Sequence, residues 1–158
     1  MTRRTKDAFK WIMEILRKCE ISFQIQGGLA ARIYGSHRRL ADIDIGIPDN
    51  KLKELLPEVK RHIVYGPKRY IDENWDLLLM TLRYKGQEID VFGNDSALMF
   101  DSKRKKWTKS RARLEGSEMK VVYDLRVPVI PKKELIEYKK ALGRSVDISD
   151  IKDLGQRE

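Results

Sequence analysis

The chain is 158 residues long, with 41% hydrophobic and 36% charged residues, which suits one globular domain built on a single core. Its apolar runs, such as LLLM at 77–80, fall far short of the roughly 20 residues that cross a bilayer, and residues 1–16 alternate charged and apolar side chains instead of forming a secretory leader. The expectation is a cytoplasmic protein with no membrane partner, and the single cysteine, Cys19, excludes an internal disulfide and a thiolate zinc cluster. Net charge is +9, and seven of the positive charges lie in KRKKWTKSRAR at 103–113, so that removing those seven leaves +2. Basicity is therefore local: this block either steers a polyanion or nucleotide toward a neighbouring site, or is a solvated loop or edge strand protected by lysines.

In chain order, Ala8, Phe9, Ile12, Ile15, Leu16 and Cys19 recur at helical spacing, which predicts a helix over roughly 5–20 with Thr5 as its cap and Cys19 on its core side. ISFQIQ alternates as a short strand and runs into Gly27–Gly28, after which LAARIY suits one or two helical turns. ADIDIGIP alternates with period two, placing Ile43, Ile45 and Ile47 on one face and Asp42, Asp44 and Gly46 on the other, before Pro48 ends the strand. KLKELLPEVKRH predicts a helix that Pro57 kinks or shortens. WDLLLMTLRY and EIDVFG, joined by KGQ, predict a strand pair, and further strands are expected around Gly116. From Pro131, PKKELIEYKKAL starts on a proline and stops at Gly143, and DISDIKDL predicts a last short helix, so that 131–158 forms a helical end to a single domain spanning 1–158.

Two carboxylates at i and i+2 on a strand point the same way, about 6–7 Å apart at Cα, and repel unless something positive lies between them. A hard divalent cation such as Mg²⁺, bound by one or two carboxylates together with substrate phosphates, suits such a pair. Two-metal phosphoryl chemistry usually calls for a third carboxylate, and QEIDVFG supplies one: with Ile89 and Val91 in the core, Asp90 faces the other way. The candidate triad is Asp42, Asp44 and Asp90. A lone acid-x-acid strand is more often a half-exposed strand showing acids to water. The glycine pair tips the balance, because Gly27 and Gly28 between a strand and a helix let backbone N–H groups approach an anion closely.

The stretch GGLAARIYGSHRRLADIDIGIP resembles the signature of the DNA polymerase β-like nucleotidyltransferase superfamily, in which a Gly-Gly or Gly-Ser pair precedes an acid-x-acid strand; here thirteen residues separate Gly28 from Asp42. The branch containing the lincosamide and aminoglycoside nucleotidyltransferases and related small proteins is closest, with GG-x-A and an arginine before D-I-D. LIEYKKALGRSVDISDI at 135–151 is similar to the closing motif of many members, with Lys139, Arg144, Asp147 and Asp150 at matching places and Val146 where a lysine is common. The resemblance implies an α+β (mixed α/β) fold, a mixed central β-sheet backed by helices, and an ATP- or other NTP-binding, metal-dependent transferase. Asp42, Asp44 and Asp90 would hold Mg²⁺ or Mn²⁺, and Asp90 would also orient or deprotonate an acceptor hydroxyl on a small molecule, protein or RNA. Gly27 and Gly28 would cradle the triphosphate. Since the family often has serine second where this chain has Gly28, basic side chains such as Arg32 or Arg39 would share the load. Lys139 would reach phosphate or acceptor, or else lie on a solvated helix face.

His37 and His62 are too few and too separated for a histidine metal site, and His37 reads as a surface residue. Trp11 and Trp75 read as packing residues; Trp107, inside the basic run, either packs or stacks on a nucleic-acid base. Competing readings are a nucleic-acid-binding module on a degenerate transferase fold, using 103–113, and a toxin or antitoxin subunit. A homodimer could complete the cleft of so small a chain.

Overall fold

The computed structural model describes residues 1–110 and 112–155; Arg111 of the basic run and residues 156–158 of the C-terminal segment lie outside the described residues. One mixed sheet runs through the molecule. Its strands are β1 (Gln24–Gln26), β2 (Asp42–Ile47), β3 (Ile63–Ile71), β4 (Trp75–Tyr84), β5 (Gln87–Gly93), β6 (Leu98–Asp101), β7 (Lys106–Lys109), β8 (Glu118–Val122) and β9 (Leu125–Val129). The order is β7-β6-β4-β5-β2-β1-β9-β8, with β3 pairing with β4 outside that path. The helices are α1 (Arg3–Lys18), α2 (Gly27–Ile33), α3 (Leu52–Val59), α4 (Lys132–Leu142) and α5 (Ser145–Asp153). The fold is the expected α+β arrangement, a mixed sheet backed by helices.

Alternation in β2 and β5 sorts side chains as their sequence requires. Ile43, Ile45, Ile47, Ile89 and Val91 are fully buried, in a core shared with Phe9, Ile12 and Leu16 of α1 and Leu55 and Val59 of α3. With the core claiming that face, the aspartates are left to the other. The strands are parallel, and their register sets Asp42 against Glu88 and Asp44 against Asp90. A polar relay fixes the start of this pair: Thr5 Oγ1 donates to Gln87 Oε1 at 2.6 Å, and Gln87 Nε2 donates to the Ala41 carbonyl at 2.9 Å. Thr5 is therefore buried inside α1, and Thr2 is the cap, accepting from the Thr5 N–H at 3.1 Å. Cys19 is half-buried just after the helix, at its C-cap, and packs against the core.

The β4–β5 connection is the predicted hairpin, turning at Lys85–Gly86 with both φ angles positive, 49° and 84°. Two strands, β3 and β6, have no counterpart in the elements expected from the sequence. The chain returns from α3 as β3, an amphipathic strand whose glycine, proline and charges hide its alternation. The basic run contains β7, which pairs antiparallel with β6 at an end of the sheet order and so matches the edge-strand alternative. Pro57 stays inside α3, which is bracketed by single 3₁₀ turns. Gly143, at φ +65°, ends α4 as expected. Among the described residues no helix is long and apolar enough to cross a membrane.

Candidate active site

The carboxylate face of the sheet forms the floor of a cleft of about 640 Å³, lined by Gly27 and Gly28, by Asp42, Asp44, Glu88 and Asp90, and by side chains of β3, β4, α4 and α5. Glycine is required at position 27. Its φ is +60°, in the left-handed region, and a Cβ there would overlap the Asp44 carboxylate. The backbone turns into α2 directly against the first acid-bearing strand, which is what brings glycine pair and aspartates together. The Gly27 N–H donates to Tyr138 Oη of α4 at 2.9 Å, so the turn is also tied to the C-terminal helices.

Electrostatic tension is concentrated in three carboxyls. Burial, followed by the charges of Asp90 and Asp42, pushes Asp44 up to about 8; the Lys139 charge and the Gly28 backbone N–H pull the other way without cancelling this. Burial also lifts Asp90, to about 6, with Asp42 and Glu88 adding to it and a hydrogen bond from Thr81 Oγ1 to Asp90 Oδ1 at 2.6 Å opposing it. Asp42 is raised by burial and by Glu88. Among the described residues no group of three or more histidine, cysteine or acidic side chains stands ready to hold a metal ion. The donor chemistry nevertheless fits a hard divalent cation that shares its coordination with a bound phosphate: all donors are carboxylate oxygens, and a cation would offset the burial and the mutual repulsion that raise them.

The positive side of the cleft is made by Arg38, Lys139 and Arg144. The cleft lining contains neither Arg32 nor Arg39. Arg32 Nη1 donates to the Arg38 carbonyl at 3.2 Å, and Arg39 is exposed. Lys139 reaches the cleft but is only 2% exposed, with Nζ 3.0 Å from Asp150 Oδ2 and 3.2 Å from Asp147 Oδ1, so it is a buried, paired cation and not part of a solvated helix face. Asp147 and Asp150 are themselves fully buried.

A third wall is apolar: Val64, Tyr65, Tyr70, Trp75, Leu77, Leu79 and Phe92 line it. Trp75 is thus a cleft residue rather than a packing residue alone, meeting Tyr138 edge-on at 6.2 Å between centroids. Trp11 does pack, stacked on Tyr84 at 4.6 Å. Trp107 pairs with Phe100, and the register from Trp75 through Met99 and Thr108 puts both on the sheet face away from the cleft. Sequence reasoning missed Glu88, Arg38, Tyr138 and the aromatics of β3. Glu88 lies two residues from Asp90 in the same alternation, a local signal; the others are brought in by tertiary contact.

Solved structures of similar fold cover nearly the whole chain. A candidate nucleotidyltransferase from Thermotoga maritima superposes with a TM-score of 0.70 at 14% identity, over 100% of this chain and 97% of its own. The chain has the nucleotidyltransferase fold. Within that fold it also matches the lincosamide antibiotic adenylyltransferase LnuA with lincomycin bound, with a TM-score of 0.62 at 17% identity over 100% and 99% of the two chains. It further matches ANT(2'')-Ia in complex with adenylyl-2''-tobramycin, with a TM-score of 0.61 at 16% identity over 96% and 87%. Two of these likenesses are thus to a lincosamide adenylyltransferase and to an aminoglycoside-bound neighbour, both of the same fold. No family model and no curated protein matches the sequence of this nucleotidyltransferase fold.

Proposed function

We propose that the chain is a metal-dependent nucleotidyltransferase that moves a nucleoside monophosphate, adenylate in the simplest case, from a triphosphate to a hydroxyl of a small-molecule acceptor. The observation that carries this reading is the parallel register that sets Asp44 beside Asp90, with the Gly27–Gly28 turn against Asp44. The adenylyltransferase neighbours act on lincosamides and, in the tobramycin complex, on an aminoglycoside. The aromatic wall of the cleft favours a small ring-bearing acceptor here.

In this reading Asp42, Asp44 and Asp90 hold Mg²⁺ or Mn²⁺, which when bound would neutralise phosphate charge and support in-line displacement. Gly27, Gly28 and the basic side of the cleft receive the triphosphate. Thr81 holds Asp90 Oδ1, leaving Oδ2 to accept the proton of the acceptor hydroxyl. The bond from acceptor oxygen to the α-phosphorus forms as the bond to the bridging oxygen breaks, the proton passes to Asp90, and pyrophosphate leaves. Most of the rate comes from positioning and charge neutralisation.

The test is calorimetric titration of a nonhydrolysable triphosphate with and without Mg²⁺, followed by an acceptor screen by pyrophosphate release. Metal-dependent binding is expected in the wild type and lost in Asp44→Asn. Asp90→Asn is expected to bind nucleotide but to transfer at least roughly 100-fold more slowly, the usual scale for loss of a general base. Transfer at the wild-type rate in Asp90→Asn contradicts its role. Salt-sensitive RNA binding that ignores Asp44→Asn would instead favour a binding module using the β6–β7 hairpin.

A further inference from the structure

We propose that Asp150 and Asp147 are positioning residues that hold Arg38 and Arg144 as a two-guanidinium clamp for the polyphosphate, with Arg38 lying against the Gly27–Gly28 turn. This rests on the nucleotide reading of the cleft and assigns which cations meet the phosphates.

The geometry is paired. Arg38 Nε and Nη2 donate to Asp150 Oδ1 and Oδ2 at 3.0 and 2.9 Å. Arg144 Nε and Nη2 donate to Asp147 Oδ2 and Oδ1 at 2.7 and 3.1 Å. In each case one edge of the guanidinium is locked on a fully buried carboxylate, while Nη1 has no protein partner among the described residues. Each arginine is partly exposed, with side chains 26% and 37% accessible, and both line the cleft. They also lie close enough for the positive charge of Arg144 to act on Arg38.

The anchoring is more elaborate than neutralising one lysine requires. Lys139 bridges the two aspartates, Ser36 Oγ donates to Asp150 Oδ1 at 2.7 Å, and the Arg144 N–H donates to Asp147 Oδ2 at 3.1 Å. Three cations share two anions, so the cluster carries a net positive charge, and the exposed share of it is the pair of arginines. Two like charges held together beside a glycine turn call for an anion with several oxygens, and a fixed guanidinium fork matches phosphate.

Position 28 ties the clamp to this particular sequence. A Cβ built on Gly28 would lie 3.3 Å from Arg38 Nη2 and equally 3.3 Å from Leu40 Cδ1, both tighter than ordinary contact. The Arg38 guanidinium thus lies directly against the glycine turn. Lys139, by contrast, is occupied on both sides and serves as the hub beneath the clamp.

The test is titration of inorganic tripolyphosphate in metal-free, low-salt buffer, with thermal melts of every variant. Wild type is expected to bind, and Arg38→Gln and Arg144→Gln each to weaken binding roughly tenfold or more, the scale of one charged hydrogen bond. Asp147→Asn is expected to weaken it as much as Arg144→Gln, with the double variant no worse than either single, because the aspartate acts through the arginine. Should Asp147→Asn unfold, Arg144→Lys carries the test, since it keeps the charge and loses the fork; full affinity there overturns the clamp. Folded glutamine variants that bind like wild type, or losses that add in the double variant, overturn it as well. Tripolyphosphate binding without any binding of Mg²⁺-NTP sinks the nucleotide reading and leaves the clamp standing. Nucleotide binding without tripolyphosphate binding does the reverse.

Discussion

At the scale of single residues, the site is built from groups that the fold tolerates at a cost. Asp44 has its ordinary carboxyl value near 3.8 raised to about 8, so its contribution to stability is fully present below about pH 4 and is lost as pH rises toward 8. Metal-free protein at neutral pH therefore has to keep a buried carboxyl protonated, at a cost in stability. Asp44→Asn is expected to raise the Tm of the metal-free protein, at roughly 2–4 °C per kcal/mol for a chain of this size. Mg²⁺ with nucleotide is expected to stabilise the wild type and not the variant, as thermal melts would read; a lower Tm for the metal-free Asp44→Asn variant would contradict this account. Gly27→Ala should do the opposite, combining a left-handed φ with an overlap at the Asp44 carboxylate, and cost about 1–3 kcal/mol in chemical denaturation.

At the scale of elements, α4 and α5 are joined by charge as much as by apolar contact. Burial alone would raise Asp150, yet hydrogen bonds from Arg38, Ser36 and Lys139 hold it at about 2. Its folded value lies below its unfolded one, so this stabilisation is present above about pH 4 and disappears as pH falls through about 2. The shift corresponds to about 2 kcal/mol. Unfolding free energies from urea titrations between pH 5 and pH 2 should fall by that amount more in wild type than in Asp150→Asn. The variant itself should be destabilised by about 3–5 kcal/mol, since it strips a buried lysine of one partner. The two acid-bearing strands show the same dependence on context. Either alone is an amphipathic strand with acids on its wet face, and only their parallel pairing puts Asp44 next to Asp90.

At the scale of the whole molecule, one sheet separates two surfaces of different character. The core draws on α1 and α3 and also on α2 and α4, while the cleft on the carboxylate face is lined by the Gly27–Gly28 turn, by Tyr138 and Lys139 of α4, by Arg144 and by the aromatic residues of β3 and β4. Trp107 faces away from that cleft, so Trp107→Ala should leave the affinity for Mg²⁺-nucleotide within about twofold, as calorimetry would measure; a large loss would mean that the basic hairpin belongs to the nucleotide site. Much of this plan is legible in the chain by itself. Period-two alternation in DIDIGI and EIDVFG dictates that isoleucines and valine take the core and aspartates the opposite face, and the glycine pair announces a close backbone approach, because these are local consequences of strand geometry and of a missing Cβ. The cations were not legible. Arg38 and Arg39 are adjacent in a basic stretch, and nothing local distinguishes the one that meets Asp150, more than a hundred residues later, from the one that meets water. Lys139 reads as one of several lysines on a charged helix until α5 folds back and buries it between two aspartates. Local periodicity decides which side of an element a residue faces, whereas long-range packing decides what it meets there, and in this protein the acids belong to the first kind and the bases to the second.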